Sequence, residues 1–160
     1  YALSRLMANP NSEIEPMVKE YLKAYYPETQ KIISEYYLHL ENKVKRSNNY
    51  LPMYADISEA TEYYLPLGSF EQFRKDLEKA SKGVDGEERK RLNLLLTALN
   101  FTRMELMRTK LKGYTRQEAE DALEVMKGAL EVKEMQQYKE ANGDLSEYIK
   151  RWEKEVLSSY

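Results

Sequence analysis

The chain has no cysteine, one histidine and one tryptophan, and only 6 glycines and 5 prolines among 160 residues. Missing thiols exclude disulfides and thiolate chemistry, but do not choose between cytoplasm and an export compartment. With His39 as the sole histidine, a metal site built on two histidines is excluded. Between Leu38 and Leu40 it reads as a structural or surface residue. There is no glycine-rich phosphate loop, no HExxH and no EF-hand spacing, which removes the commonest motif-bearing enzymes and leaves no cofactor or metal to assign. No run approaches the roughly 20 apolar residues that span a bilayer. A net charge of -2 offers no global field for nucleic acid. Basic residues gather at Arg89, Lys90, Arg91, Arg103, Arg108, Lys110 and Lys112. They alternate with Glu87, Glu88 and Glu105, so they read as a solvated helix face and not as a nucleic-acid stripe.

What the chain does have is helical periodicity. Few glycines and prolines leave room for few turns, and no segment shows the strict alternation of a half-buried strand. Tyr1, Leu3, Leu6 and Met7 read as the apolar edge of a helix end, stopped by Asn9-Pro10-Asn11. Ile14, Met17, Val18, Tyr21, Leu22 and Tyr25 then form one stripe over about Glu13 to Tyr26, with Pro16 in the first turn, where its missing donor costs least. Such a stripe demands burial by partners. After Pro27, a helix bearing Ile32, Ile33, Tyr36, Tyr37, Leu40 and Val44 runs to about Arg46, making an antiparallel hairpin. Ser47 to Leu67 loses the period and predicts a long ordered connection with one short helix near Ile57 to Tyr64; loops this long usually cover or do something.

The third helix carries Phe70, Phe73, Leu77 and Ala80 up to Gly83. The fourth carries the longest ladder, from Leu92 to Leu111, and ends at Gly113; apolar residues on more than one face mark it as central. The fifth carries Ala119, Ala122, Leu123, Met126 and Leu130, whose small residues permit close packing, and is stopped by Asn142-Gly143. The last bears Tyr148, Ile149, Trp152 and Val156. Five helix starts share a capping-box grammar: Ser12/Glu15, Ser69/Gln72, Asp85/Glu88, Thr115/Glu118 and Asp144/Glu147. The expectation is an all-α fold, an irregular antiparallel bundle of about six helices. Unequal lengths and no common period argue against a solenoid.

Fourteen tyrosines, against three phenylalanines, are the most unusual feature of the composition. A flat apolar face with a polar tip suits interfaces and sugar stacking equally. Tyr21, Tyr36 and Tyr37 lie on core stripes and need no function, whereas Tyr50, Tyr54, Tyr63 and Tyr64, on the irregular connection, are candidates for an exposed aromatic patch. Acidic pairs such as Glu13/Glu15 sit in first helical turns, where the dipole accounts for them without catalysis.

The opening phrase, YALSRLMANPNSEIEPMVKEYLKAYYP, resembles a segment of large bacterial proteins related to α-glucuronidases and hexosaminidase-like glycoside hydrolases. There, the final helix of a catalytic (β/α)8 barrel ends in an aromatic-x-x-Ala/Ser-x-Leu-Leu-Trp-Asn-Pro phrase, and a helix ending in Tyr-Tyr-Gly opens a C-terminal helical domain. Tyr1, Ser4, Leu6, Met7, Asn9 and Pro10 match the first phrase, and Tyr25 and Tyr26 the second. Ala8 stands in place of the Trp and Pro27 in place of the Gly. The close match covers about the first 27 residues.

The resemblance implies that residues 1–7 end a helix of a preceding barrel domain and that 8–160 form a single helical domain of a longer protein, exported to the periplasm or outer surface. It places the catalytic carboxylates upstream, so none falls on this chain. It further implies packing of this domain on the barrel through Tyr1, Leu6 and Met7 and participation in a homodimer. Tyr25, Tyr26, Tyr50, Tyr54, Tyr63 and Tyr64 are then the candidate carbohydrate or interface contacts. A reading from another class is an independent helical interaction module with no carbohydrate role, using a groove away from the N-terminal edge. A small complete enzyme would need convergent, shifted carboxylates in a concave site.

Overall fold

The structure, a computed structural model, describes residues 1–49, 56–135, 137–139 and 143–160. It is all-α in character, with eight α-helices among the described residues: α1 Ala2–Ala8, α2 Ile14–Tyr25, α3 Gln30–Arg46, α4 Ile57–Tyr63, α5 Leu67–Ser81, α6 Gly86–Thr109, α7 Arg116–Gly128 and α8 Leu145–Glu155. The six longer ones are those the periodicity predicts. The excess over six comes from α1 and α4, seven residues each. Both stand where the sequence places them, α1 as the helix end at Tyr1 to Met7 and α4 as the short helix near Ile57 to Tyr64, outside the count of six; helices this short stand only with tertiary support.

The fifth predicted helix is shorter than expected. Instead of running toward Asn142, which lies outside the described residues, α7 ends at Gly128 and yields to two single 3-10 turns. Beyond Ala129, residues 130–135 are half-buried or exposed, so no buried face opposes the loss of helix propensity at the glycine. A two-stranded antiparallel ribbon follows, β1 Gln137–Lys139 against β2 Gly143–Asp144, pairing Gln137 with Asp144 and Lys139 with Gly143. Among the described residues it is the one β-sheet, and alternation could not reveal strands of three and two residues.

Helix ends obey tertiary partners as much as local grammar. The Thr115/Glu118 capping box forms in full, and Asp144 accepts from the backbone of Ser146 and Glu147. Ser12/Glu15 does not form, since Glu13 is the cap of α2 and Glu15 turns to Lys19. Ser69/Gln72 does not form either, because α5 begins earlier, after Pro66, and Gln72 turns to Asp76. The carboxylate of Glu88 is directed away from Asp85 toward α3: it accepts from Thr29 N (3.0 Å), Thr29 Oγ1 (2.8 Å) and Glu28 N (3.1 Å). Helix α6 stops at Thr109 and not at Gly113, with Lys110 in the left-handed region at φ 54°. The glycine that needs positive φ is Gly86, at 66°, and not Gly83.

Among the described residues the chain divides into two compact units, Tyr1–Met53 with Ala60–Leu92 and Tyr54–Glu59 with Asn93–Tyr160. In the first, α2 packs on α3 and α3 on α5. Its core holds Met17, Leu22, Ile33, Tyr36, Phe70, Phe73, Leu77 and Leu92, all buried. Tyr36 and Phe73 stack face to face at 4.0 Å. The α2 stripe is only partly used: Met17 and Leu22 are buried, whereas Ile14, Tyr21 and Tyr25 stay exposed.

In the second unit, Ala119 and Ala122 of α7 are buried. Asn100 donates from Nδ2 to the Ala122 carbonyl at 2.8 Å, tying α6 to α7. Trp152 of α8 donates to the Met104 carbonyl at 3.0 Å, and Met104, Leu106 and Met107 are fully buried. No helix among the described residues is long and apolar enough to cross a membrane.

Candidate functional site

Two places gather aromatic and charged side chains. One is the outer face of α1 and α2 in the first unit. No residue of α1 is buried. Tyr1, Leu3 and Met7 are 48%, 72% and 78% exposed, Tyr21 and Tyr25 37% and 41%, while Leu6 is half-buried. Their rings form a row: Tyr1 lies 5.7 Å from Tyr21, and Tyr21 4.6 Å from Tyr25. Arginines bracket it, Arg5 over Tyr1 at 5.7 Å and Arg91 over Tyr25 at 5.2 Å, within cation–π range. Arg5 also pairs with Glu20 at 3.4 Å. A hydrogen bond with Glu20 raises the Tyr1 phenol above its ordinary range. Tyr26, half-buried beside this row, is raised by burial.

The predicted contact residues divide accordingly. Tyr1, Tyr25 and Met7 are on this exposed face, together with Tyr21, which the stripe assigned to the core. Tyr63 is exposed and Tyr64 buried, their rings 6.1 Å apart. Tyr50 and Tyr54 lie outside the described residues. Tyr37, also assigned to the core, is exposed, whereas Tyr36 is buried as expected. His39 is exposed on α3.

The second place is a cleft of about 400 Å³ within the second unit, between α6 and α8. Helical spacing builds both walls: Phe101, Glu105 and Arg108 follow at steps of four and three on α6, and Tyr148, Arg151, Trp152 and Glu155 do so on α8. Phe101 and Tyr148 meet at 5.0 Å and 45°, making an aromatic corner. Tyr148 donates its hydroxyl to Glu105 Oε1 at 2.7 Å. Glu105 Oε2 accepts from Arg108 Nε at 2.8 Å, and Arg108 reaches Asp56 Oδ2 at 2.7 Å with its other arm. These hydrogen bonds, to Asp56 first and to Glu105 second, push the guanidinium further toward its charged form. Asp56 is held below the usual carboxylate range, mainly by the Ser58 backbone N–H and then by Arg108.

Sequence reading missed this cleft. It placed Tyr148 and Trp152 on a core face and Phe101 on a buried ladder, and treated Arg108 and Glu105 as a solvated surface. The signal was present in the pairing of two helices whose apolar stripes carry a charged residue one turn beyond each aromatic. Which stripe faces which is a tertiary fact, and nothing local records it.

Among the described residues no group of three or more His, Cys, Asp or Glu is arranged to hold a metal ion. No family model, curated protein or solved structure matches this chain.

Proposed function

We propose that this chain is a helical accessory domain of a larger, exported glycoside-hydrolase-like protein, carrying no catalytic residue of its own and packing through α1 and α2 against a catalytic barrel that precedes it. One observation supports the reading most: α1, seven residues long with nothing buried, turns Leu3 and Met7 outward beside the Tyr1–Tyr21–Tyr25 row. Aromatic and methionine side chains with arginine at the edge are the composition of protein interfaces. The resemblance of the first 27 residues supplies the partner, and it also implies a homodimer of the whole protein.

The test begins with the reading frame upstream of Tyr1. A segment of about 250 residues with alternating strand and helix patterns is expected. That segment and the present chain, produced separately, should associate in sedimentation velocity, and Leu3→Asp with Met7→Asp should abolish association while leaving the helical circular dichroism intact. A frame without such a segment, or association indifferent to both aspartates, overturns the reading and points to an independent interaction module.

A further inference from the structure

Helix α2 carries a seam that its own unit leaves open. Ile14, Val18, Tyr21 and Tyr25 follow at steps of four, three and four, the alternation by which one helix packs lengthwise on another. The rise of a helix makes this seam about 16 Å long. Helical geometry puts Met17 and Leu22 about 70° to either side of it, and both are buried, at 3% and 6% exposed. Along the middle, Ile14, Tyr21 and Tyr25 are 42%, 37% and 41% exposed, and Val18 is half-buried. A helix face merely turned to solvent opens outward from one edge. This one is closed along both edges and open along its centre, which is the cross-section of a groove. The ring of Tyr1, 5.7 Å from that of Tyr21, extends one bank.

The groove selects its occupant by shape and by charge. An extended peptide would gain no main-chain hydrogen bonds here, because the backbone of α2 is already paired within its own helix. A helix with apolar residues at the same three- and four-residue steps meets the seam along its whole length. Charge then fixes one end. Arg5 is already engaged by Glu20 at 3.4 Å. Arg91 lies 5.2 Å over the Tyr25 ring with its side chain 36% exposed, and its ion pair among the described residues is a long one, Glu87 at 4.0 Å. Stacking on the ring holds the guanidinium plane while its N–H edges stay available to a carboxylate. A carboxylate arriving there gains a closer pair than Glu87 provides, whereas an ammonium is repelled.

We propose that the groove along α2 receives an amphipathic helix, its apolar stripe laid on Ile14, Val18, Tyr21 and Tyr25 and a carboxylate at one end paired with Arg91. The inference deepens the accessory-domain reading and rests on it for the origin of that helix, one of the outer ring of helices of the preceding barrel.

The experiment uses two stapled helical peptides of about 16 residues, long enough to cover the seam. Both carry leucines at steps of four, three and four; one bears a pair of glutamates at one end, the other a pair of lysines in their place. Each is titrated into the isotopically labelled chain to roughly 1 mM, following backbone amide shifts. The glutamate peptide should saturate, with shifts centred on residues 14, 18, 21, 25 and 91, and the lysine peptide should bind about ten-fold more weakly. Arg91→Glu should reverse that order. Ile14→Asp, at an exposed first-turn position where an acidic residue suits the helix dipole, should weaken both. The preference between peptides is read on the wild-type chain, so it stands whether or not a variant folds. No saturation by the glutamate peptide, equal binding of the two, or shifts centred away from the seam would overturn the proposal. Peptide discrimination without association with an upstream segment overturns the accessory-domain reading alone; association with that segment, without peptide discrimination, overturns this inference alone.

Discussion

Glu88 makes the most exposed wager of the fold, because a single carboxylate of α6 ends three donors at the start of α3. Thr29, the cap residue of α3, is 1% exposed and makes no side-chain cap bond within its own helix. Its N–H and hydroxyl both go to Glu88 Oε1, and the Glu28 N–H goes to Oε2. Glu88 itself is buried. Hydrogen bonds to a charged group contribute about 1.5–3 kcal/mol each, and a buried donor left without a partner costs about 1–3 kcal/mol. The losses are not additive, since water and small shifts recover part of them.

Thr29→Val removes one donor and should cost about 1–2 kcal/mol. Glu88→Gln keeps Oε1 for Thr29 but turns an NH2 group toward the Glu28 N–H, and should cost about 2–3 kcal/mol. Glu88→Ala leaves all three donors orphaned and should cost about 4–5 kcal/mol, near the top of what single substitutions do. Urea unfolding by circular dichroism gives the order. Trp152 fluorescence, read in parallel, reports the second unit, so a first transition seen by circular dichroism alone locates the damage in the first. Costs within about 0.5 kcal/mol of wild type for both Glu88 variants, or Thr29→Val exceeding Glu88→Ala, would refute the long-range cap.

Two further substitutions test local strain and burial. The Tyr36 hydroxyl is buried with no hydrogen-bond partner, and burial pushes its phenol up to about 12. Tyr36→Phe should therefore hold or raise stability, by up to about 1 kcal/mol, in denaturant titrations near neutral pH. The sign at high pH follows from linkage: with the folded pKa above the unfolded one, the stabilisation is complete below about 10 and is lost as pH rises through about 12. Between those values the wild type should lose stability more steeply than Tyr36→Phe, and parallel curves would contradict the assignment. Lys110, at φ 54° just past α6, pays a left-handed penalty that glycine avoids. Lys110→Gly should raise stability by about 0.5–1 kcal/mol in the same titrations; a loss would show that its side chain outweighs its backbone.

Helix existence was legible because it depends on repeated local events. Each of the six longer helices presents apolar residues at three- and four-residue steps over at least three turns, and no tertiary partner needs to be known to read them. Their ends were less legible. Thr115/Glu118 closes its box, but Glu88, with the same spacing from Asp85, is drawn off by donors some 60 residues earlier in the chain, at Thr29 and Glu28. A carboxylate chooses between a local N–H and a buried distant one by which would otherwise go unpaired, and a buried donor has no water to fall back on. Capping grammar therefore proposes candidates, and burial decides among them.

The same asymmetry governs the two candidate surfaces. A stripe such as Ile14, Met17, Val18, Tyr21, Leu22 and Tyr25 shows that a helix has an apolar side, but its width is not the width of the partner that covers it. Within its unit, α2 buries Met17 and Leu22 and leaves Tyr21 and Tyr25 to stack on each other under Arg91. The surplus is where the accessory-domain reading has its purchase, and no count of apolar residues could have separated it from the core. In the cleft the difficulty is reversed. Tyr148 and Trp152 are buried as their stripe requires, yet one directs its hydroxyl to Glu105 and the other its indole N–H to the Met104 carbonyl. For such side chains the apolar ring is spent on packing while the polar tip still needs a partner, and a helix pair supplies both at once, which no single stripe records.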